Sequence, residues 1–481
     1  MKLILAFLLI ILTTTTGNAQ TKPEWQKIFT DINTEVQQNS KAYSTLKHSS
    51  ETIGHRLTGS ENGRKAEEYA YNLLKSYGFD DVKYQSFEVE SWSRKTVSVT
   101  IDKKPVKSVA LAHTPVKANI SGQLVDLGNG LEADYIKDNG AVKGKIALVY
   151  LGILPGSPEG TKNLHRSEKT ALAIKYGAIG VIIINTVDGG VLLTGTASVT
   201  GKLIPIPVAC IGKEDGMKYK ETLKSKKMNA TISMTNFSGL INSRNVIATL
   251  KGSTLPEEKI LVVGHLDSWD LADGSIDNGI GSFSIMDMAR TFKVLGLRPA
   301  RTIEFILFMG EEQGLLGSTA YVDQAMKDKS LSSIRHLLNY DMTNDPKGFA
   351  STAPEMEPLF KGIGSMAKAI DTSFANLFSS RAGLHSDHEP FMLRGIITGG
   401  AAGGNLPNNS GRCYHSDCDS FELVDEQGMK NTVRYNAMLI YGLADAAEIP
   451  AKQRTDTETR DFLESHNLKE ALKIAGDWRW D

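Results

Sequence analysis

The sequence predicts an α/β fold: a mixed, largely parallel sheet flanked by helices, interrupted by a β-rich insert. Three observations carry this. After Asn245, apolar strand-length runs alternate with stretches of helical periodicity, the pattern of a parallel sheet covered by helices. From about Ile120 to Phe237 the texture changes to short, glycine-bounded strands around a few helices, a module of its own. The chain has 481 residues, more than the roughly 250–300 at which a single core stops growing.

The elements follow in order. Lys2 precedes an unbroken apolar stretch, Leu3 to Leu12, then Thr13–Thr16 and the small-residue site Gly17-Asn18-Ala19. This layout predicts a secretory signal peptide, too short for a stable membrane span. No cysteine precedes Cys210, which excludes lipid attachment at a signal cysteine, and no later run is long enough to cross a bilayer. The expected location is therefore secreted or periplasmic, with no membrane anchor. Trp25, Ile28, Phe29, Ile32 and Val36 recur at helical spacing, as do Ala66, Tyr69, Ala70, Leu73, Leu74 and Tyr77, the latter ending near Gly78. Val82 to Val89 reads as a strand.

In the insert, Ile146–Tyr150 and Gly180–Ile184 are expected strands, Lys169–Tyr176 a helix, and Pro205–Ile211 a further apolar piece. Beyond it, Ile260–Gly264, Thr302–Phe308 and Ile334–Leu338 are strands. Ile285, Met288, Phe292 and Leu295 mark one helix, and Leu315–Ala325 another. The tail is polar and reads as one helix from Glu458 to Ala475. The resulting division is 1–19 signal peptide, 20–118 first part of the main domain, 119–238 insert, 239–447 second part, and 448–481 tail.

Composition is that of an ordinary globular protein, 41% hydrophobic and 23% charged, with a formal net charge of -1. No global field recruits nucleic acid or a membrane surface, so function must reside in a local site. Three cysteines are too few to staple the fold. Cys413 and Cys418 flank His415 and are placed to bridge or to stay free; Cys210 reads as a buried hydrophobe.

In open α/β sheets ligands gather at the carboxyl ends of the strands. His265 and Asp267 close the first strand after Asn245, Glu311-Glu312 follow the second, and Asp341 follows the third. Asp277 lies in a glycine-bearing loop before a helix, and His415 in a late glycine-rich stretch. Taken singly, a Glu-Glu pair is usually a solvated surface feature, and an acid after a strand often only caps a helix. Their joint occurrence at successive strand ends argues for a metal site.

Imidazole and carboxylate together suit zinc. Two ions about 3.5–4 Å apart need a bridging anion. Asp277 is the natural bridge, with His265 and Asp341 on one ion and Glu312 and His415 on the other. Glu311, beside a ligand but itself free, is the expected general base. Asp267 is expected to accept the second N–H of His265 and orient its ring. Ser386-Asp387-His388 reads as a hydrogen-bonded turn, and Tyr414 as a packing residue or an oxyanion donor.

These residues form an ordered set. His265-Leu266-Asp267-Ser268, Ser275-Ile276-Asp277-Asn278-Gly279, Gly310-Glu311-Glu312-Gln313-Gly314, Asn339-Tyr340-Asp341-Met342, Ser386-Asp387-His388-Glu389-Pro390-Phe391 and Tyr414-His415-Ser416 resemble the motifs of co-catalytic zinc aminopeptidases. Gly144–Val149 and Tyr176–Ile182 resemble a protease-associated domain. His55-Arg56-Leu57-Thr58-Gly59-Ser60, with the insert, looks closest to the plasma glutamate carboxypeptidase (carboxypeptidase Q) branch. The resemblance implies a zinc exopeptidase with two zinc ions per chain on the five ligands named, Glu311 as base, and a peptide substrate. It leaves open which terminus is trimmed, which side chains are preferred, and whether the chain forms a homodimer. Two other readings use the same residues: a glutaminyl cyclase-like acyltransferase with a single zinc, and a non-catalytic receptor-like relative with a degraded site. The intact ligand set argues against both.

Overall fold

The computed structural model describes residues 22–480; the expected signal peptide lies outside them. The chain opens with three helices, α1 (Glu24–Asn39), α2 (Ala42–Thr52) and α3 (Glu61–Ser76), then strands β1 (Val82–Ile101), β2 (Lys104–Val106) and β3 (Ser108–Ala110). The insert supplies β4 (Lys117–Asp126), α4 (Glu132–Asp138), β5 (Ile146–Tyr150), α5 (Arg166–Lys175), β6 (Gly180–Ile184), β7 (Val208–Ile211) and α6 (Lys213–Leu223). The long strand β8 (Asn229–Leu250) returns to the main domain. There follow β9 (Leu255–His265), α7 (Ile280–Val294), β10 (Arg301–Phe308), α8 (Leu316–Lys327), β11 (Ile334–Asn339), β12 (Gly348–Ser351) and α9 (Glu357–Ile370). The chain closes with β13 (Leu377–Ser380), α10 (Glu389–Met392), β14 (Thr398–Ala402), α11 (Glu426–Asp445), α12 (Asp456–Ser465) and α13 (Lys469–Ala475).

The strands form one sheet in the order β13-β12-β14-β11-β9-β10-β8-β4-β5-β6-β7-β3. Two parallel blocks make up most of it. In the main domain β10, β9, β11 and β14 run parallel; in the insert β4, β5, β6 and β7 do. The blocks are joined through β8, antiparallel to β10 at one end and to β4 at the other, while β1 pairs along nearly its whole length. Residues 118/119 fall within β4 and 238/239 within β8, so insert and main domain share one hydrogen-bonded sheet.

Period-2 alternation builds the main core on both faces of the central strands. Ile260, Val262, Phe305, Leu307 and Leu338 point to the layer of α1, α7, α9 and α11. Leu261, Val263, Ile306, Phe308 and Leu337 point to the opposite layer, against Tyr321, Val322 and Ala325 of α8. Strands covered on both sides need apolar residues at every position, which is why they read as continuous hydrophobic runs.

Several expectations need correction. The strand expected to end at Val89 continues to Ile101; its second half is a ribbon on β8 with polar side chains turned outward, so no apolar run marks it. Helix α2 buries only Ala42, Leu46 and Ser49, too narrow a stripe to announce itself. The apolar piece from Pro205 pairs only from Val208, since Pro205 and Pro207 have no N–H for a ladder. Leu295 caps its helix rather than lying within it. The tail is two helices, broken before α13 where Asn467 adopts a left-handed φ of 58°.

Candidate metal centre

The adjacent parallel strands β10, β9 and β11 all end on one edge of the sheet. His265 is the last residue of β9, Glu311 and Glu312 follow β10, and Asp341 follows β11. Between β9 and α7, a kinked turn at Ser275–Gly279, in which Asp277 and Asn278 leave helical backbone geometry, carries Asp277 to the same edge. His415 arrives from the loop before α11, where Cys413 and Cys418 are joined by a disulfide.

The donor atoms fall into two groups that share Asp277. Nε2 of His265 lies 3.3 Å from Oδ1 of Asp277 and 3.4 Å from Oδ1 of Asp341. Nε2 of His415 lies 3.0 Å from Oδ2 of Asp277 and 2.9 Å from Oε2 of Glu312. With zinc–ligand bonds of about 2.0–2.1 Å, tetrahedral ligand atoms sit roughly 3.3 Å apart. The separations here suit that spacing. Donor atoms of His265, Asp277 and Glu312 also lie within 4.8 Å of one another. A carbonyl only accepts, so Nδ1 of His265, 3.1 Å from the main-chain oxygen of Asp267, must carry the proton. In the neutral ring Nε2 then keeps a lone pair facing two carboxylates, an arrangement that suits a cation between them; without a cation the same carboxylates favour a proton there.

The electrostatics say the same. Burial pushes Glu311 and Glu312 well above the ordinary carboxylate range, and neighbouring acids add to it: Glu312 and Asp341 for the first, Asp277 and Asp267 for the second. Burial works to lower His265, but Glu311, Asp341, Asp267 and Asp277 outweigh it and hold the ring well above its usual range. His415 moves down to about 4, driven by burial and by the Arg166 guanidinium. Protein atoms alone leave this buried cluster short of positive charge. Oε1 of Glu312 and Nδ1 of His415 are buried without a hydrogen-bond partner among the described residues.

The surrounding bonds aim the donors. Asp267 lies beside His265 as expected, but its carbonyl, not its carboxylate, is within hydrogen-bond reach; Oδ1 stands 3.7 Å away. Thr58 Oγ1 (3.0 Å) and the Glu311 N–H (3.3 Å) donate to that carboxylate instead, tying the β9 and β10 loops together. Ser386 donates to Oδ2 of Asp341 at 2.8 Å and accepts from Asn339 at 2.7 Å, so this turn orients a donor. Tyr414 stacks on His415 with ring centroids 3.7 Å apart.

Three further residues were not singled out from the sequence. Asp419 accepts the N–H groups of Ile276 (2.8 Å) and Asp277 (3.0 Å). Asn278 donates to the carbonyl of Tyr340 (2.9 Å) and accepts from Met342 (2.9 Å). Arg56, fully buried, donates to the carbonyls of Leu266, Asp273 and Gly274 at 2.6, 2.6 and 2.8 Å. Arg56 and Asn278 stand within quoted motifs and Asp419 near one, but no residue pattern there points to these roles.

The donors stand between two cavities, of about 620 and 550 Å³. Glu311, His385, Tyr414 and His415 line both, so Glu311 borders each cavity.

Comparison with known proteins agrees with this architecture. The model of Peptidase family M28 matches residues 245–440, and that of the PA domain matches residues 120–219. Carboxypeptidase Q of Xenopus laevis is 27% identical over 441 residues, covering 88% of this chain and 90% of its own. Leucine aminopeptidase 2 of Trichophyton equinum is 30% identical over 363 residues, covering 72% and 68%. Among solved structures, a peptidase M28 precursor from Shewanella amazonensis superposes with a TM-score of 0.75 at 22% identity, covering 90% of this chain and 99% of that one. The zinc aminopeptidase BSAP of Bacillus subtilis gives 0.63 at 24% identity, covering 87% and 98%.

Proposed function

The chain belongs to peptidase family M28, with a PA domain as an insert, and from that premise we propose that it is an exported exopeptidase that works with two zinc ions and Glu311 as general base. Its class is that of a zinc metallopeptidase. The observation that carries the finer reading is the sharing of Asp277, one oxygen turned to His265 and Asp341, the other to His415 and Glu312.

When bound there, the ions would polarise a scissile carbonyl and acidify the attacking water. The protein's own contribution is to place and move protons. Glu311 takes the proton from that water and returns it to the leaving nitrogen. Burial and the adjacent acids raise its proton affinity toward what this exchange requires. Ser386 and the Asp267 carbonyl hold Asp341 and His265 in fixed orientations, so little reorganisation accompanies reaction.

Export is supported by the Lys2 and Leu3–Leu12 pattern and by the Cys413–Cys418 disulfide, which suits an oxidising compartment. No helix among the described residues is long and apolar enough to cross a membrane. The test is an assay of the protein lacking residues 1–19 on amino-acid anilides, dipeptides and N-blocked peptides, with and without a chelator, alongside metal analysis. Chelator-sensitive cleavage next to a terminus and about two zincs per chain are expected. One zinc with cyclisation of N-terminal glutamine would favour the acyltransferase instead.

A further inference from the structure

The two imidazoles of the metal centre are held in unequal ways. His265 ends β9 and is fixed in the sheet ladder opposite Phe308 of β10. His415 lies on a loop, with a left-handed φ of 53° that a residue with a Cβ keeps only where its surroundings hold it there. Two features do so. One is the disulfide between Cys413 and Cys418. The other comes from the insert, where the Thr194 N–H donates to the His415 carbonyl at 2.9 Å.

Thr194 is itself tied down by a residue that the metal chemistry does not touch. Arg94 lies on the β1–β8 ribbon, where the register shifts. Its Nη2 donates to Oγ1 of Thr194 at 2.8 Å and forms an ion pair with Oδ1 of Asp270, also at 2.8 Å. Asp270 belongs to the loop between His265 and Asp277, and that loop is packed into the insert. Trp269 joins the apolar cluster of Ile182, Ile184 and Ala209, while Leu271 packs on the other face of the same strands with Val181, Ile183 and Cys210. The Trp269 ring also stands edge-on to that of His415, with centroids 6.0 Å apart. Arg94 therefore sits where the ribbon, the insert and the metal loop meet.

Stability alone does not account for this arginine. Its Nε and Nη1 are buried without a hydrogen-bond partner among the described residues. A partly satisfied buried guanidinium stabilises a ribbon less well than an apolar side chain of its size. What it supplies is direction: one nitrogen sets Thr194 against Asp270, and Thr194 in turn holds the main chain of His415.

We propose that Arg94 is a positioning residue for the zinc ion on His415 and Glu312, and that through it the insert forms part of the metal centre. This rests on the two-zinc reading. The other ion takes its unshared ligands, His265 and Asp341, from strand ends and does not depend on Arg94.

The test is zinc release from the zinc-loaded protein lacking residues 1–19, followed with excess chromogenic chelator, and the zinc concentration that restores kcat. The unaltered protein should release two equivalents in two phases. Arg94→Met should speed the first by about 10–100-fold, raise the restoring zinc concentration by a similar factor, and leave the second phase within about 3-fold. Thr194→Val keeps the side-chain shape but removes Oγ1, and should act in the same direction. Arg94→Lys should recover part of the loss, since an ammonium keeps the charge but not the fork. Lys220→Met, which breaks the Lys220–Asp126 pair inside the insert, should leave both phases unchanged. An unaltered first phase in Arg94→Met and Thr194→Val, or both phases speeded alike with a lowered Tm, would overturn the inference and leave the two-zinc reading standing. A single equivalent from the unaltered protein would overturn both. If Arg94→Met does not fold, Thr194→Val decides.

Discussion

Nε2 of His415 lies 3.0 Å from Oδ2 of Asp277, while the other oxygen of the same carboxylate faces His265 at 3.3 Å. One side chain thus faces two imidazoles, one at the end of β9 and one from the loop before α11. If Asp277 joins two zinc ions, Asp277→Asn keeps the shape but removes the charge that offsets their repulsion. Metal content should fall from about two ions to one or none, and kcat by on the order of 10³-fold. Metal analysis of dialysed protein, paired with an anilide assay, checks this; two retained zincs would count against the bridge.

On the proposed reading, Glu311 and its neighbour Glu312 have different roles. Glu311→Gln should leave the metal content and Tm unchanged and lower kcat by about 10²–10⁴-fold, the range of a general base. Glu312→Gln should instead lose metal as well as activity, because Oε2 of Glu312 is one of the donors beside His415. Equal metal content in both variants would contradict the assignment.

Arg56 ties the end of β9 to the loop that carries Asp277, through the carbonyls of Leu266, Asp273 and Gly274. Arg56→Ala would leave the Leu266 and Asp273 carbonyls without this donor, leave Gly274 with the Gly279 N–H alone, and open a cavity. A loss of about 3–5 kcal/mol is expected, with weaker zinc retention as the loop relaxes. Urea unfolding read alongside zinc release measures both. A destabilised variant that kept full metal affinity would show that Arg56 supports the core alone.

Far from the site, Asp371 accepts from Arg434 and Tyr435, joining the end of α9 to α11. Burial works to raise this carboxyl, but bonds from Ser373, Arg434 and Tyr435 outweigh it and hold it well below the usual carboxylate range. A carboxylate depressed on folding contributes stability above its unfolded pKa of about 3.9, and loses it as pH falls toward the folded value. Asp371→Asn should therefore cost about 1–2 kcal/mol at pH 6 and progressively less below pH 4. Urea midpoints at pH 6 and pH 3 provide the comparison; a constant difference would exclude the carboxylate's charge as the cause.

Of the proposed ligand residues, the four before His415 were legible because each sits where local pattern is strongest. His265, Glu312 and Asp341 follow runs so apolar that they must be buried strands, which places the next polar residue at a strand end. Asp277 precedes a helix with clear periodicity. Arg56, Asn278 and Asp419 carried no such mark. Their partners are main-chain groups of other segments, and main-chain groups have no residue type to read. For the same reason the atom by which Asp267 accepts was not legible: residue spacing places it near His265, but only the path of the turn decides that its carbonyl, not its carboxylate, meets Nδ1.

By itself, then, the sequence determined the layered α/β plan, the presence of an insert and the list of residues able to hold zinc. These follow from hydrophobic period and side-chain chemistry, which are local properties. The tertiary structure alone decided which oxygen of Asp277 faces which imidazole, and that Arg166 of the insert shares a cavity wall with Glu311. Both depend on how a shared sheet and the loops beyond its edge bring distant segments together, and such long-range packing leaves no trace in residue spacing.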